Sequence, residues 1–251
     1  MSSRERLLAV SIGNTNVSFG LFDGGQLVAA VRRRADARRL TPSWPAPGAI
    51  VIGSVNPKAS LHVSQSLRKR YGLDVLELGS DLAVPVRNRC RRPERVGVDR
   101  LLNALAACRL VCCPVIVADL GTAITIDAVS ARGDFLGGAI LPGAGLWTAA
   151  LHERTAKLPA VGLKRSSRVI GKQTEEAIRS GVYWGICGAI EKIAARMRKR
   201  LRSEAQLLVT GGDADLFSPH LPKGHVVMPH LALHGIHIAW SAWREEGKGE
   251  G

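Results

Sequence analysis

Residues 11–18, Ser11-Ile12-Gly13-Asn14-Thr15-Asn16-Val17-Ser18, have a near copy 108 residues later, Asp119-Leu120-Gly121-Thr122-Ala123-Ile124-Thr125-Ile126. Each stretch follows an apolar run, carries a glycine two residues after its first residue, and leads into a second apolar run. This pattern predicts a strand, a tight glycine turn and a second strand. The copies differ at their first residue, which is Ser11 in one and Asp119 in the other.

Glycine turns of this kind are suited to binding phosphate. A residue without a Cβ lets backbone N–H groups approach an anion closely, and small hydroxyl and amide side chains add further donors. Two such hairpins facing each other would hold the phosphates of a nucleotide.

The surrounding sequence extends the repeat. A third strand is predicted after each hairpin, at 26–31 and at 135–140, and helices are predicted from 99 to Pro114 and from 174 to about 202. We therefore expect two similar α/β halves, residues 1–113 and 114–244, with a nucleotide in the cleft between them. The charged, glycine-rich tail 245–251 is expected to be disordered.

The chain of 251 residues has a formal net charge of +14, much of it in arginine-rich stretches at 32–39, 87–95 and 196–202. Such a field attracts polyanions, among which nucleic acid and ATP are alternatives, or it reflects a GC-rich genome. No aromatic residues interleave with the arginines, so a nucleic-acid partner is not expected.

Composition also bears on the compartment. No apolar run approaches the roughly 20 residues of a membrane span, and the N-terminus lacks the apolar stretch of a signal peptide, so we expect a cytoplasmic protein. The five cysteines have neither disulfide-like nor metal-like spacing, and we expect buried thiols, notably at Cys108 and Cys112. They are Cys90, Cys108, Cys112, Cys113 and Cys187.

Seven short motifs, in this order, resemble those of type III pantothenate kinases along most of the chain. They are Gly13-Asn14-Thr15, Gly97-Val98-Asp99-Arg100, Asp119-Leu120-Gly121-Thr122-Ala123, Gly137-Gly138-Ala139-Ile140-Leu141-Pro142-Gly143, Thr155-Ala156-Lys157-Leu158-Pro159, Gly171-Lys172-Gln173-Thr174 and Thr210-Gly211-Gly212-Asp213. No Walker P-loop accompanies Gly171-Lys172.

The resemblance implies duplicated actin/hexokinase-like (ribonuclease H-like) halves of the acetate kinase–hexokinase–actin superfamily. It also implies phosphorylation of pantothenate to 4'-phosphopantothenate by ATP with Mg²⁺, the first step of coenzyme A biosynthesis. A cytoplasmic homodimer and a monovalent cation, K⁺ or NH₄⁺, complete the implied properties.

The resemblance assigns residues as well. Asp99 would accept the proton of the pantothenate hydroxyl, Arg100 would bind the substrate carboxylate, and Asp119 would be a ligand of the monovalent cation. Gly97, Val98, Thr174 and Cys90 would also contact pantothenate. The ATP-binding set would be Ser11, Ile12, Gly13, Asn14, Thr15, Asn16, Val17, Ser18 and Thr122, with Gly211, Gly212 and Asp213 near the adenosine.

Each assignment has a structural alternative. Asp99 could simply cap the helix that starts there, and it could do both. Asp119 could be a turn aspartate, Thr174 a plain N-cap, and residues 211–213 an ordinary turn after a strand.

Two positions depart from the family pattern. The family opens its first motif with Asp where this chain has Ser11, and it usually has Tyr where this chain has Cys90. A serine cannot supply the charge of a carboxylate. The alternative function is therefore a catalytically weak or inactive relative that binds a nucleotide or acts as an accessory protein; a kinase acting on another small alcohol is a third possibility.

Overall fold

The structure is a computed structural model that describes residues 6–37, 40–165 and 168–247. The chain forms strands β1 (Leu7–Ile12), β2 (Asn16–Asp23), β3 (Gln26–Arg34), β4 (Ala49–Ser54), β5 (Val75–Leu78), β6 (Val115–Leu120), β7 (Ala123–Val129), β8 (Phe135–Pro142), β9 (Gln206–Thr210) and β10 (Val226–Val227). The helices are α1 (Pro57–Tyr71), α2 (Val98–Leu110), α3 (Ala144–Glu153), α4 (Thr174–Leu201), α5 (Ala214–Phe217) and α6 (Leu231–Gly247).

The strands form two sheets with the same order. One is β3-β2-β1-β4-β5, and the other, taken from its opposite edge, is β8-β7-β6-β9-β10. In each sheet the first three strands are antiparallel and the last three are parallel. A register shift interrupts both sheets at the corresponding place, next to Phe22 and next to Val129. The predicted duplication is confirmed.

The first compact unit combines residues up to Leu110 with those from His230 onward, and the second runs from Val111 to Pro229. This differs from the predicted halves, since the C-terminal helix α6 packs with α2, β1, β2 and β4 of the first unit. Residues 245–247, predicted to be disordered, belong to α6, whereas 248–251 lie outside the described residues.

The first unit has a core on each face of its sheet. Alternate residues of β1 point in opposite directions: Leu7 and Ala9 pack with α2 and α6, while Leu8 and Val10 pack with α1. Close packing of the two helices on the first face requires glycine, because a Cβ on Gly235 would lie 2.3 Å from a backbone carbonyl oxygen of α2.

The second unit has one large core, formed by α4, α5 and one face of its sheet. Ile116, Ala118 and Leu120 of β6 meet Tyr183 and Ile186 of α4 there. The opposite face of this sheet carries Val117 and Asp119, because side chains alternate along the strand.

Register makes Ser11 and Asp119 equivalent. Each is the fifth residue of its strand. Ser11 pairs with Ser18 and Gly53, as Asp119 pairs with Thr125 and Thr210. The connecting turn is one residue longer in the first hairpin, where Ile12 pairs with Val17, than in the second, where Leu120 pairs with Ile124.

The expectation of buried thiols at Cys108 and Cys112 is wrong. Cys108 and Cys113 are disulfide-bonded, and Cys112 is exposed because α2 ends at Leu110, before it. No helix within the described ranges is both long and apolar enough to cross a bilayer.

Candidate active site

The first hairpin presents polar residues at the carboxyl end of β1. The Gly13 N–H donates to the Asn16 carbonyl at 2.9 Å and so closes the turn. Asn14 is exposed, and the other polar side chains of residues 11–18 are partly exposed. Ile12 and Val17 are predicted ATP contacts, but their side chains are buried in the core, so only their backbone could serve a ligand.

Asp99 lies in the first turn of α2. The backbone N–H of Arg100 donates to Asp99 Oδ1 at 2.8 Å, so the carboxylate turns back towards the start of its own helix. This position needs Gly97, since a Cβ there would lie 2.6 Å from the same oxygen. The glycine before the helix therefore leaves room for the carboxylate in this orientation.

The hairpin and Asp99 lie at one end of the same sheet. The backbone N–H of Val55, just after β4, donates to the Ile12 carbonyl at 3.0 Å. A side-chain carbon of Val55 is 3.3 Å from the Cβ position of Gly97. The first unit thus brings together residues 11–18 and 97–100, which are far apart in sequence.

The loop before α2 is organised by Asn88, a residue that the sequence analysis did not identify. Its side chain accepts from the Cys90 N–H at 3.0 Å and donates to the Pro93 carbonyl at 3.2 Å. The Cys90 thiol is free and partly buried. A short polar residue before a proline-containing turn was the available sequence signal for Asn88.

This loop is strongly basic. Its exposed residues include Arg87, Arg91, Arg92 and Arg95, and the acidic residue among them is Glu94. The loop therefore contributes positive charge beside the residues that the sequence predicts to bind substrate.

In the second unit, Asp119 lies against the turn after β9. A Cβ on Gly211 would lie 2.5 Å from Asp119 Oδ1 and 2.4 Å from the Leu120 carbonyl oxygen. Gly211 has φ +97°, a conformation that favours glycine. The Asp213 N–H donates to the Leu120 carbonyl at 3.0 Å and fixes this turn to β6. Glycine at 211 thus lets the turn after β9 pack directly against the Asp119 carboxylate and the backbone of Leu120, whose nitrogen would also lie 2.5 Å from that Cβ.

Thr122 adjoins the start of α3. The Gly143 N–H donates to the Thr122 carbonyl at 3.0 Å. A Cβ on Gly143 would lie 2.4 Å from that carbonyl oxygen and 2.2 Å from the carbonyl of Gly121. These contacts therefore bring together three parts of the second unit, which are residues 119–122, 143 and 211–213.

Thr174 is not the N-cap of α4. It is the first helical residue, it is exposed, and Gln173 precedes the helix without a side-chain capping bond. Glu176 stabilises this end instead, because its carboxylate accepts from the Lys172 N–H at 2.9 Å. The capping alternative proposed for Thr174 is thereby removed.

Within the described ranges, no group of three or more His, Cys, Asp or Glu side chains is placed to hold a metal ion. The buried thiol of Cys187 on α4 stays protonated at neutral pH, because burial raises its pKa to about 11.

Two mixed sheets of identical strand order, each with a glycine hairpin at its centre, define a duplicated actin/hexokinase-like fold. A crystal structure of a Campylobacter jejuni protein assigned to the Baf family of transcriptional activators has this fold, with a TM-score of 0.62 and 21% identity, and the match covers 95% of this chain and 99% of that one. An ethanolamine utilization protein from Carboxydothermus hydrogenoformans matches with a TM-score of 0.50 and 18% identity over 92% of this chain and 89% of its own.

Sequence comparison gives the family. The model for type III pantothenate kinase matches residues 7–196. A type III pantothenate kinase from Moorella thermoacetica is 34% identical, with 93% of this chain and 98% of that protein covered. One from Paramagnetospirillum magneticum is 37% identical, with 92% and 95% covered. The chain belongs to the type III pantothenate kinase family.

Proposed function

We propose that this chain transfers the γ-phosphoryl group of ATP to the primary hydroxyl of pantothenate, giving 4'-phosphopantothenate in the cytoplasm as the first step of coenzyme A biosynthesis. The observation that carries the residue assignment is the position of the Asp99 carboxylate, held by the Arg100 N–H at the same sheet end as the first hairpin. The hydroxyl oxygen bonds to the γ-phosphorus, the bond from that phosphorus to the β,γ-bridging oxygen breaks, and ADP leaves.

Asp99 accepts the proton released from the hydroxyl. Phosphoryl transfer depends mainly on positioning and charge neutralisation, and a carboxylate within reach of the alcohol orients it and takes its proton. Because the carboxylate is fixed by a backbone N–H and by the space above Gly97, it is already oriented before substrate binds.

Arg100 and the basic loop bind the acidic end of pantothenate. A guanidinium group matches a carboxylate in a bidentate arrangement. Cys90 is positioned by Asn88 and takes the place of the family's Tyr, so the substrate contact there is smaller and less polar.

The first hairpin binds nucleotide phosphates with the small polar residues of its turn, and the resemblance also assigns Thr122 to ATP binding. Mg²⁺, when bound with ATP, neutralises phosphate charge. In the first hairpin Ser11 can hold a water of the hydrated metal, and the exposed Asn14 side chain can donate to phosphate oxygens.

Asp119 holds the monovalent cation. This assignment rests on the resemblance and on the position of the Asp119 carboxylate, which lies near the end of β6 beside the turn after β9. A single carboxylate with carbonyl oxygens suits a singly charged ion, because hard cations prefer oxygen ligands.

A catalytically weak, nucleotide-binding relative is the second candidate. One observation favours it: Ser11 occupies the same strand position as Asp119, so the first hairpin has lost the carboxylate that its repeat retains. The retained Asp99, Arg100 and Asp119 favour the enzyme.

We also propose a homodimer that uses the exposed edge of the second sheet. Leu136 and Ile140 of the edge strand β8 are 43% and 64% exposed, and Leu146 of α3 is 47% exposed. Ile140→Lys is expected to shift sedimentation towards the monomer, whereas Val28→Lys, at a 56% exposed site on the edge strand β3, is not. A monomeric wild-type chain would refute the dimer.

The test of the activity is ADP release coupled to NADH oxidation, with pantothenate, Mg²⁺ and K⁺, together with mass spectrometry of the product. Pantothenate-dependent ADP release and a product heavier by one phosphoryl group are expected. ATP binding without turnover would support the accessory role, and turnover only with another alcohol would change the substrate.

A further inference from the structure

Ser218 and His225 form a hydrogen-bonded pair in the second unit, and neither is among the residues assigned to phosphoryl transfer. The Ser218 hydroxyl oxygen lies 2.8 Å from His225 Nε2, and His225 Nδ1 lies 2.9 Å from the Pro222 carbonyl oxygen. Both are ordinary hydrogen-bond distances. The imidazole therefore connects a hydroxyl on one side with a backbone carbonyl on the other.

The carbonyl fixes the tautomer of the imidazole. A carbonyl oxygen can only accept, so Nδ1 of His225 carries the hydrogen and donates to Pro222. In the neutral ring Nε2 is then the acceptor, and the Ser218 hydroxyl donates to it. The lone pair of Nε2 is thus directed at the proton that a serine must lose in order to act as a nucleophile.

Backbone contacts hold both residues in place. The Ser218 carbonyl accepts from the Leu221 N–H at 3.2 Å, directly after α5. The loop that carries His225 is tied to β9, because the Gln206 side chain donates to the Gly224 carbonyl and β10 pairs with β9 immediately after the histidine. The hydroxyl and the imidazole are therefore oriented in advance of any reaction.

The pair lies at the surface. Ser218 and His225 are partly exposed, and Pro219 and Lys223 beside them are exposed. Polar groups that water can reach do not need each other in the way that fully buried polar groups do. Their pairing is therefore not explained by burial alone.

We propose that Ser218 is a nucleophile that accepts an acyl group from an activated acyl ester with an anionic leaving group, such as an acyl phosphate, and that His225 is its general base. A nucleophile, a base within hydrogen-bond reach and a third group that orients the base are the elements of nucleophilic catalysis. Ser218 Oγ bonds to the carbonyl carbon, the bond from that carbon to the phosphate oxygen breaks, and the serine proton passes to His225 Nε2. The products are an O-acylserine and inorganic phosphate.

Two features favour a donor of this class. An acyl phosphate releases phosphate, an anion that leaves without taking up a proton, so one base is sufficient for the transfer. The net charge of +14 and the exposed Lys223, two residues before the histidine, attract an anionic donor.

The test incubates the full chain with acetyl phosphate and follows acetylserine at each position by peptide mass spectrometry. ATP and pantothenate are left out, so the result does not depend on the proposed kinase activity. Ser80 is the internal reference, because it is exposed and its hydroxyl donates to the Glu77 carbonyl instead of a histidine. Ser218 should be acetylated at least about 10²-fold faster than Ser80.

Two histidine variants separate the base from local structure. His225→Gln keeps a side chain that can accept from the Ser218 hydroxyl but removes the base, and it should slow acetylation of Ser218 by about 10²-fold or more. His220→Gln is the matched control, since His220 Nδ1 bonds to the Tyr183 hydroxyl at 2.8 Å, and it should leave the rate unchanged. A loss of equal size in both variants would assign the effect to local structure and overturn the role of the base.

Other outcomes would also overturn the inference. Acetylation of Ser218 at the rate of Ser80, or at an unchanged rate in His225→Gln, would make the pair a structural contact only. A phosphoryl group on Ser218 would refute the acyl transfer. If His225→Gln does not fold, the wild-type rate in D₂O decides, because proton transfer to a general base slows the reaction there and a structural contact does not.

Discussion

Replacement of Asp99 by asparagine separates its proposed chemical role from its structural one. Asparagine has the same shape as aspartate and fits the space beside Gly97. Its side-chain oxygen can still accept a hydrogen bond from the Arg100 N–H, which lies 2.8 Å from Asp99 Oδ1 in the wild type. It cannot take a proton at neutral pH. The fold should therefore survive, with a change in unfolding free energy within about 0.5 kcal/mol.

Turnover should fall much further. A positioned general base contributes typically about 10²–10⁴-fold, and each factor of ten is about 1.36 kcal/mol of activation free energy. The expected loss in kcat is therefore about 3–5 kcal/mol for Asp99→Asn. The assay is ADP release at saturating pantothenate, with ATP affinity and the unfolding midpoint measured on the same preparations.

Asp81→Asn is the matched control. The Asp81 carboxylate also accepts a backbone N–H, from Glu77 at 2.8 Å, but it lies in an exposed turn after β5. Its turnover should equal that of the wild type. If Asp99→Asn turned over within threefold of the wild type, Asp99 would be only a helix-capping residue.

Three further outcomes are expected. Ser11→Asp should raise turnover in a strongly Mg²⁺-dependent manner, because an added carboxylate can hold hydrated metal but repels ATP without it; no gain at any Mg²⁺ concentration would mean that the site is adapted to serine. Burial and a neighbouring histidine lower the pKa of His234 and of His237 in the folded protein. The folded state is therefore fully stable with both rings neutral above about pH 6.5, and it loses stability as the pH falls below that value, because the unfolded chain binds protons more readily. The urea midpoint should therefore drop between about pH 7 and pH 5, and an unchanged slope in the His234→Gln/His237→Gln double variant would refute this cause. Gly235→Ala should destabilise by about 1–3 kcal/mol, since its Cβ would meet the backbone of α2. Gly188→Ala, at an unobstructed site on α4, should stabilise slightly through helix propensity; equal effects of the two in urea unfolding would contradict the packing argument.

The repeat and its strands could be predicted because they depend on local pattern. The third strands predicted at 26–31 and 135–140 lie within β3 and β8, since apolar runs bounded by glycine and turn residues carry strand information within a few positions. The equivalence of Ser11 and Asp119, predicted from the two motifs, is present in the register.

The C-terminal helix α6 was not predicted, and the reason is physical. Gly235 and three histidines in or next to it lower its intrinsic helix propensity, while the glycine is required by close packing against α2. Tertiary contacts thus override local preference, and a pattern confined to the segment does not contain them.

Residues of the candidate site could be predicted from the sequence where they belong to a recognised motif. The positions of Asp99 and Asp119 follow from a helix start and a strand end, but Asn88 has significance only through contacts made after folding. The alternative that Thr174 is a plain N-cap was wrong, because Glu176 and Lys172 stabilise that helix end. Alternative caps one or two residues apart are hard to separate from sequence alone.

The return of α6 to the first unit has a consequence for synthesis on the ribosome. The second unit is continuous in the chain, so all of it has been translated before the last helix of the first unit emerges. Until then, Leu102 and Leu105 of α2 lack the apolar partners that α6 supplies. The nascent chain therefore completes its second unit first, against the usual N-terminal-first order. A tag or truncation at the far end of the gene would be expected to impair the unit encoded at its beginning.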